Sequence, residues 1–243
     1  PNDPVVAANY ANYLIDDGDI DEAATLLPQS TDLADADMHV VLAVLRLLNR
    51  QEKHEEVLAL SKAAVAREPE RSELHLNYLG ALERLGRRAE ALEYINGLAP
   101  TTRVDAPGIM LFQMEVLLAE NSWEEADEVR KMYLSAYPNQ EPMGEYLSGR
   151  VAFAKSEFET ARDHFNMAVE MNPNLQRSRF YLALAQLQIP GEESKQAARV
   201  SLELYMRNNP ADTMARQLWT RQFDRDRTVV QLRIEAERLL GND

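Results

Sequence analysis

The 243-residue chain contains no cysteine. This excludes disulfides, thiol nucleophiles and zinc sites built on thiolates. It leaves both cytoplasm and bacterial periplasm open, because a helical core of this size needs no disulfides. Nine glycines and eleven prolines are few for the length. Alternating runs of β-branched and aromatic residues are missing, so there is no place for a sheet. Positive charge is also scarce, with 26 Lys and Arg against 40 Asp and Glu and a net charge of −14. A phosphate backbone requires clustered cations, so nucleic acid is not expected as a partner, and an anionic membrane surface is disfavoured for the same reason. No span approaches the roughly 18 apolar residues of a membrane helix, so no direct membrane insertion is expected. No secretory n-region and h-region precede the first helix. HExxH, Gly-rich phosphate loops and the Gly-x-Ser-x-Gly elbow are all absent. The chain is therefore read as non-enzymatic, with no cofactor or metal.

Ala, Leu, Glu, Arg and Gln are plentiful, and all of them favour helix. With 45% apolar residues, the composition predicts an all-α protein with a real core. Two stretches raise the question of a site. "SEFETARDHFNMAVEMNPN" (156–174) sets His164 among acids and asparagines. "DDGDIDE" (16–22) gathers carboxylates, but its glycine interrupts them too early for an EF-hand loop. Both stretches fall into place once the chain is compared with itself.

Six anchors recur: Ala23, Val57, Ala91, Ala126, Ala161 and Ala198, spaced 34, 34, 35, 35 and 37 residues apart. Three residues before the first five lie Ile20, His54, Arg88, Trp123 and Phe158. Two residues earlier again comes a column of turn residues, Gly18, Glu52, Gly86, Asn121 and Ser156. Seven after the anchors sit Ala64, Leu98, Tyr133, Ala168 and Tyr205, and Pro69, Pro100, Pro138, Pro173 and Pro210 are read as closing the later units. Each unit reads as a helix, a short turn and a second helix, with small residues where the pair touches. One such hairpin cannot bury its apolar face alone, so neighbours must stack. His164 then belongs to the second helix of the fifth unit as a structural residue, and "DDGDIDE" is a repeat turn.

The chain resembles the tetratricopeptide-repeat (TPR) family. "YLSGRVAFAKSEFETARDHFNMAVEMNP" (146–173) carries the family pattern at Leu147, Gly149, Ala152, Phe158, Ala161, Phe165, Ala168 and Pro173. "NYLGALERLGRRAEALEYI" (77–95) follows it with Gly80 one place late. The resemblance implies a right-handed superhelical α-solenoid of antiparallel helix pairs. Repeats are expected at about 4–37, 38–71, 72–106, 107–141, 142–175 and 176–210, followed by capping helices at 211–243 that use Trp219, Phe223, Val229, Leu232, Ile234 and Leu239. Three departures are visible: Pro28 shortens the first unit, "TTRVDAP" after Pro100 suggests a looser junction, and "IPGEES" lengthens the sixth turn by three residues. The opening "PNDP" resembles the inter-repeat junctions "YPNQ" and "NPNL", from which a longer array before residue 1 is expected.

In this family the first helices line a concave groove where peptides dock. The register places Asn9, Asn12 and Asp16 there, then His39, Ala43, Arg46 and Arg50, then Glu73, Asn77 and Arg84. Phe112, Glu115, Leu147, Arg150, Arg177, Tyr181 and Leu184 follow. Arg46, Arg50, Arg84 and Arg150 could fork carboxylates while Asn9, Asn12 and Asn77 clamp a peptide backbone, which would suit an acidic or C-terminal segment. Alternatively, the arginines pair with acids on neighbouring helices. The Lys and Asn carboxylate clamp of chaperone-binding members is not reproduced, since Ala43 lies between Asn9 and Asn77 and no lysine flanks them. Phe112, Leu147, Tyr181 and Leu184 predict an apolar half for hydrophobic anchors. The reading is a scaffold or adaptor that holds a protein or peptide partner. The rivals are a self-assembling homo-oligomer and, by family analogy, a module of bacterial envelope polysaccharide export machinery.

Overall fold

A residue in the left-handed region ends the first helix of each of the first five hairpins. In the computed structural model, which describes residues 3–29 and 33–224, Gly18, Glu52, Gly86, Asn121 and Ser156 have φ of 97°, 58°, 73°, 60° and 62°. These are the five residues of the turn column. In four of the turns the next amide reaches back to a carbonyl five residues earlier: Asp19 to Leu14, Lys53 to Leu48, Arg87 to Leu82 and Glu157 to Ala152, at 2.8–3.0 Å. That 6→1 bond closes the helix in a Schellman turn and satisfies carbonyls the helix would otherwise leave open. The second helices then begin at the column three before the anchors, with Ile20, His54, Arg88, Trp123 and Phe158 as their first residues.

Fourteen α-helices lie among the described residues: α1 (Pro4–Asp17), α2 (Ile20–Leu26), α3 (Met38–Arg50), α4 (His54–Arg67), α5 (Ser72–Arg84), α6 (Arg88–Gly97), α7 (Pro100–Asp105), α8 (Pro107–Ala119), α9 (Trp123–Ala136), α10 (Glu141–Ala154), α11 (Phe158–Met171), α12 (Gln176–Gln188), α13 (Glu192–Asn208) and α14 (Thr213–Trp219). A π-helical turn, Thr220–Asp224, continues α14. No strand occurs among the described residues. Within each unit, turns of two or three residues make the paired helices antiparallel. The Asp3 carboxylate caps α1 by accepting from the Val5 and Val6 amides at 2.8 and 3.4 Å.

The chain divides into two compact units, Pro1–Glu120 and Asn121–Asp243, with the boundary at the turn between α8 and α9. In the first, α3 packs against α1, α2 and α4, α5 against α4, α6 and α8, and α7 against α8. Its core runs from Ala11, Leu14, Ile15, Ala23 and Leu47, through Val41, Leu45, Val57 and Leu74, to Leu79, Leu82, Ile95 and Ile109. In the second unit, α10 packs against α9, α11 and α12, and α13 against α12 and α14. All six anchors are fully buried at 0% exposure.

One reading of the chain is corrected here. Pro100 does not close a helix in front of a loose junction. It opens α7 at the first helical position, where its fixed φ suits the helix and its missing N–H is no loss. Of the expected capping residues, Trp219 and Phe223 pack at 5.1 Å beside α13 and α14; Val229, Leu232, Ile234 and Leu239 lie outside the described residues.

The turn geometry sets a first test. An L-residue in the left-handed region costs about 1–2 kcal/mol that glycine does not, so Glu52→Gly is expected to raise stability by about 1 kcal/mol in urea unfolding. Helical glycines give a second. A Cβ on Gly149 would lie 2.6 Å from the buried Phe165 ring, whereas on Gly80 it would meet nothing within 4 Å. Gly80→Ala should stabilise by about 0.5–1 kcal/mol through helix propensity. Gly149→Ala should destabilise by about 1–2 kcal/mol, because overpacking outweighs that gain.

Candidate functional site

The first helices of the first three hairpins, α1, α3 and α5, together line a concavity of about 550 Å³. Its walls are Asn9, Asn12, His39, Leu42, Arg46, Asn49, Arg50, Glu73 and Asn77. Five residues expected in the groove for binding, Asn9, Asn12, Arg46, Arg50 and Asn77, are therefore brought together, along with His39 and Glu73. Asn49 and Leu42 were not anticipated. The signal for Asn49 was a polar residue set just after the apolar Leu47 and Leu48.

The polar groups differ in how far they are already engaged. Asn49 donates from Nδ2 to Asn77 Oδ1 at 3.0 Å and to the Leu45 carbonyl at 2.9 Å, while Asn77 Nδ2 donates to the Glu73 carbonyl at 2.9 Å. These bonds fix two amides as a floor. Arg46 reaches back one repeat, pairing with Asp16 and lying 3.5 Å from Asn12 Oδ1. Its charge is thereby largely compensated. The His39 amide and ring Nδ1 both meet the Asp37 carboxylate, at 2.8 and 2.9 Å; the amide donation is the larger influence holding that carboxyl below its usual range. Among the described residues Arg50 makes no ion pair and Asn9 no side-chain hydrogen bond. Those two groups face the concavity with their capacity unspent.

The other expected residues fall elsewhere. Arg84 is exposed near the end of α5 and does not line the concavity. Ala43, in the same column as Asn9 and Asn77, is fully buried. Phe112 is half-buried and packs on the core formed by α5, α6 and α8. Leu147, expected in an open apolar half, is only 3% exposed, and Arg150, expected among the groove arginines, only 8%. The Arg150 guanidinium lies 4.0 Å from the centre of the Tyr181 ring and donates to the Tyr146 hydroxyl at 2.8 Å. Tyr181 itself stacks on Phe165 at 5.7 Å. Large rings on α10, α11 and α12 fill that part of the second unit, and the cation–π contact helps offset desolvation of the buried charge. The four arginines thus do not form one anion-reading face.

The histidines also find structural places. His164 pairs through Nδ1 with Glu145 at 2.7 Å, tying α11 to α10. His75 is buried between the Pro69 carbonyl, 2.7 Å from Nε2, and the Tyr94 hydroxyl, 2.6 Å from Nδ1. A carbonyl only accepts, so Nε2 carries the proton, and in the neutral ring Nδ1 accepts from Tyr94. Among the described residues no group of three or more His, Asp and Glu is placed to hold a metal ion, and no helix is long and apolar enough to cross a membrane.

Comparison with solved structures decides the fold. PilW, a widely conserved type IV pilus biogenesis factor, matches at TM-score 0.63 and 16% identity over 90% of this chain and 100% of its own. PilF of Pseudomonas aeruginosa matches at 0.60 and 14%, over 90% and 97%. The chain has the tetratricopeptide-repeat fold. A TPR neighbour from the Cut9–Hcn1 hetero-tetramer of the APC/C matches at 0.64 and 17%, over 91% of this chain and 43% of the other. Residues 15–99 match the model of the bacterial transcriptional activator domain, itself TPR-like. No curated sequence matches the chain.

The half-buried Tyr94 hydroxyl generates a pH prediction for this TPR fold. Burial is the larger cause, and the neighbouring Tyr78 the lesser, pushing it up to about 12 from an ordinary 10.0. Between those values the folded chain keeps a proton that the unfolded chain releases, so stability must fall as pH rises through the window. Tyr94→Phe should cost about 1 kcal/mol at neutral pH, where it strands His75 Nδ1. The gap to wild type should narrow between pH 10 and about 12, as read from urea midpoints across that range.

Proposed function

We propose that the chain is a non-enzymatic protein-interaction scaffold whose α1–α3–α5 concavity holds an extended peptide segment of a partner. The observation that carries this reading is the pairing of an organised amide floor, Asn49 and Asn77, with two uncommitted groups, Asn9 and Arg50, in one cavity of about 550 Å³. A cavity of that size lies within the usual range for ligand sites. Asparagine amides match the donor and acceptor spacing of a peptide bond, and a guanidinium takes a carboxylate through two parallel bonds. A mostly polar lining favours backbone recognition over a lipid or an apolar anchor. The protein complex that contains Cut9, whose TPR chain shares this fold, supports a partner-binding role.

The specificity proposed is a single acidic group, a side chain or a C-terminus, placed at Arg50. Arg46 is held by Asp16 and shapes the wall. An array of extended peptides that differ only in the presence and position of one carboxylate tests this. Acid-bearing peptides should bind best, and Arg50→Glu should weaken them by about 2 kcal/mol, roughly thirtyfold, by removing the partner of a hydrogen-bonded charge. Equal binding of neutral and acidic peptides, or an indifferent Arg50→Glu variant, would discard the acidic specificity. Failure of every peptide to bind wild type would discard the concavity.

A further inference from the structure

The concavity has two ends of opposite charge. His39 and Glu73, 34 residues apart, stand where α3 and α5 begin; Arg50 and Arg84, again 34 apart, stand where they end. Glu73 and Arg50 both line the cavity. Glu73 is a third group whose capacity is unspent: it is exposed, and among the described residues its carboxylate makes no ion pair and accepts no hydrogen bond. Beside it the Asp37 carboxylate, 2.9 Å from the His39 ring, adds a second anion to that end. Arg71, whose charge reaches Asp37, is itself paired with Glu68 at 3.1 Å. At the other end Arg46 and Asp16 cancel, which leaves Arg50 in the cavity and Arg84 exposed outside it.

A segment that carries only acid meets a net charge of −14 as it approaches and the Glu73 carboxylate once inside. A cation on the same segment removes both penalties. The helices fix where that cation must sit. From the level of Glu73 to that of Arg50 is about 16 Å along the helix axis, at about 1.5 Å per residue. One sideways step between neighbouring helices, about 8–10 Å, lengthens the path to about 19 Å. An extended chain covers that in about five or six residues. We propose that the concavity reads a dipolar segment, with a carboxylate held by Arg50 and a Lys or Arg side chain held by Glu73 about five or six residues away. This rests on the peptide-binding reading above and adds to it the partner's second charge and its spacing. A carboxylate in the first turn of α5 also favours that helix, so stability and recognition are measured separately.

The probes are extended peptides, blocked at both termini, that carry one Asp and either Lys or Gln at roughly two, five or nine residues from it. Both chain orders are made, and binding to the full chain is followed by fluorescence anisotropy. At the middle spacing, in at least one order, Lys should bind roughly fivefold tighter than Gln, the gain of one good ion pair. At the short and long spacings the two should be equal. Glu73→Gln should bring the Lys and Gln peptides level, and Glu73→Lys should reverse their order. Urea midpoints of both variants report any separate cost to α5; a purely structural Glu73 would shift the midpoint and leave the Lys preference in place. An equal gain from Lys at every spacing, or a Lys gain that survives Glu73→Gln, would overturn the proposal. If the Asp peptides bind through Arg50 but Lys adds nothing at any spacing, the dipolar reading falls and the acidic one stands. If no peptide binds, both fall.

Discussion

Everything in this molecule depends on two helices meeting with no side chain to spare between them. At Ala23, Val57, Ala91, Ala161 and Ala198 the second helix of a pair presses on the first with nothing left exposed. Small side chains let the backbones approach, and the larger neighbours then fill the space to interior density. Gly149 beneath Phe165 is the extreme case, where even a methyl group would intrude on the ring. The turns follow from this constraint. A helix pair that close needs an abrupt reversal, and the left-handed residue with its 6→1 amide bond provides it within two residues.

This dependence explains why so much of the fold could be read from the residues. A contact that recurs once per repeat leaves a column in the chain, and the anchor, turn and helix-start columns each correspond to one physical role. The groove was legible where its residues are polar. Asn9, Asn12, Arg46, Arg50 and Asn77 converge because their columns fall on one side of α1, α3 and α5. It was not legible where the same columns carry apolar or aromatic residues. Ala43 and Leu147 share the column of Asn9 and Asn77, yet neighbouring side chains close over them. Register assigns an angle around the helix, but how deep a residue lies at that angle depends on the bulk of residues far away in sequence. Tyr181 decides the burial of Arg150 from 31 positions downstream.

Arg46 shows the same limit for charge. Its spacing from Asn12 and Asp16 made contact across repeats foreseeable, but whether it would face a ligand or a neighbour could not be read from spacing alone. Once Asp16 takes it, the concavity keeps Arg50 and Glu73 as its other charged groups, set among amides, His39 and Leu42. On the proposed reading Arg50 acts at close range, since an overall acidic protein repels most acidic partners at long range.

The sixth hairpin shows where this architecture accepts extra length. Its turn has three residues, 189–191, like that of the fifth, and the three added residues lie in the helix that follows: α13 begins at Glu192, six residues before its anchor, where the other second helices begin three before theirs. The anchor beyond them, Ala198, is still wholly enclosed. An insertion placed after the anchor would instead rotate every later contact of that helix by most of a turn. Length can be added where a helix enters, ahead of its first close contact, without disturbing the packing behind it.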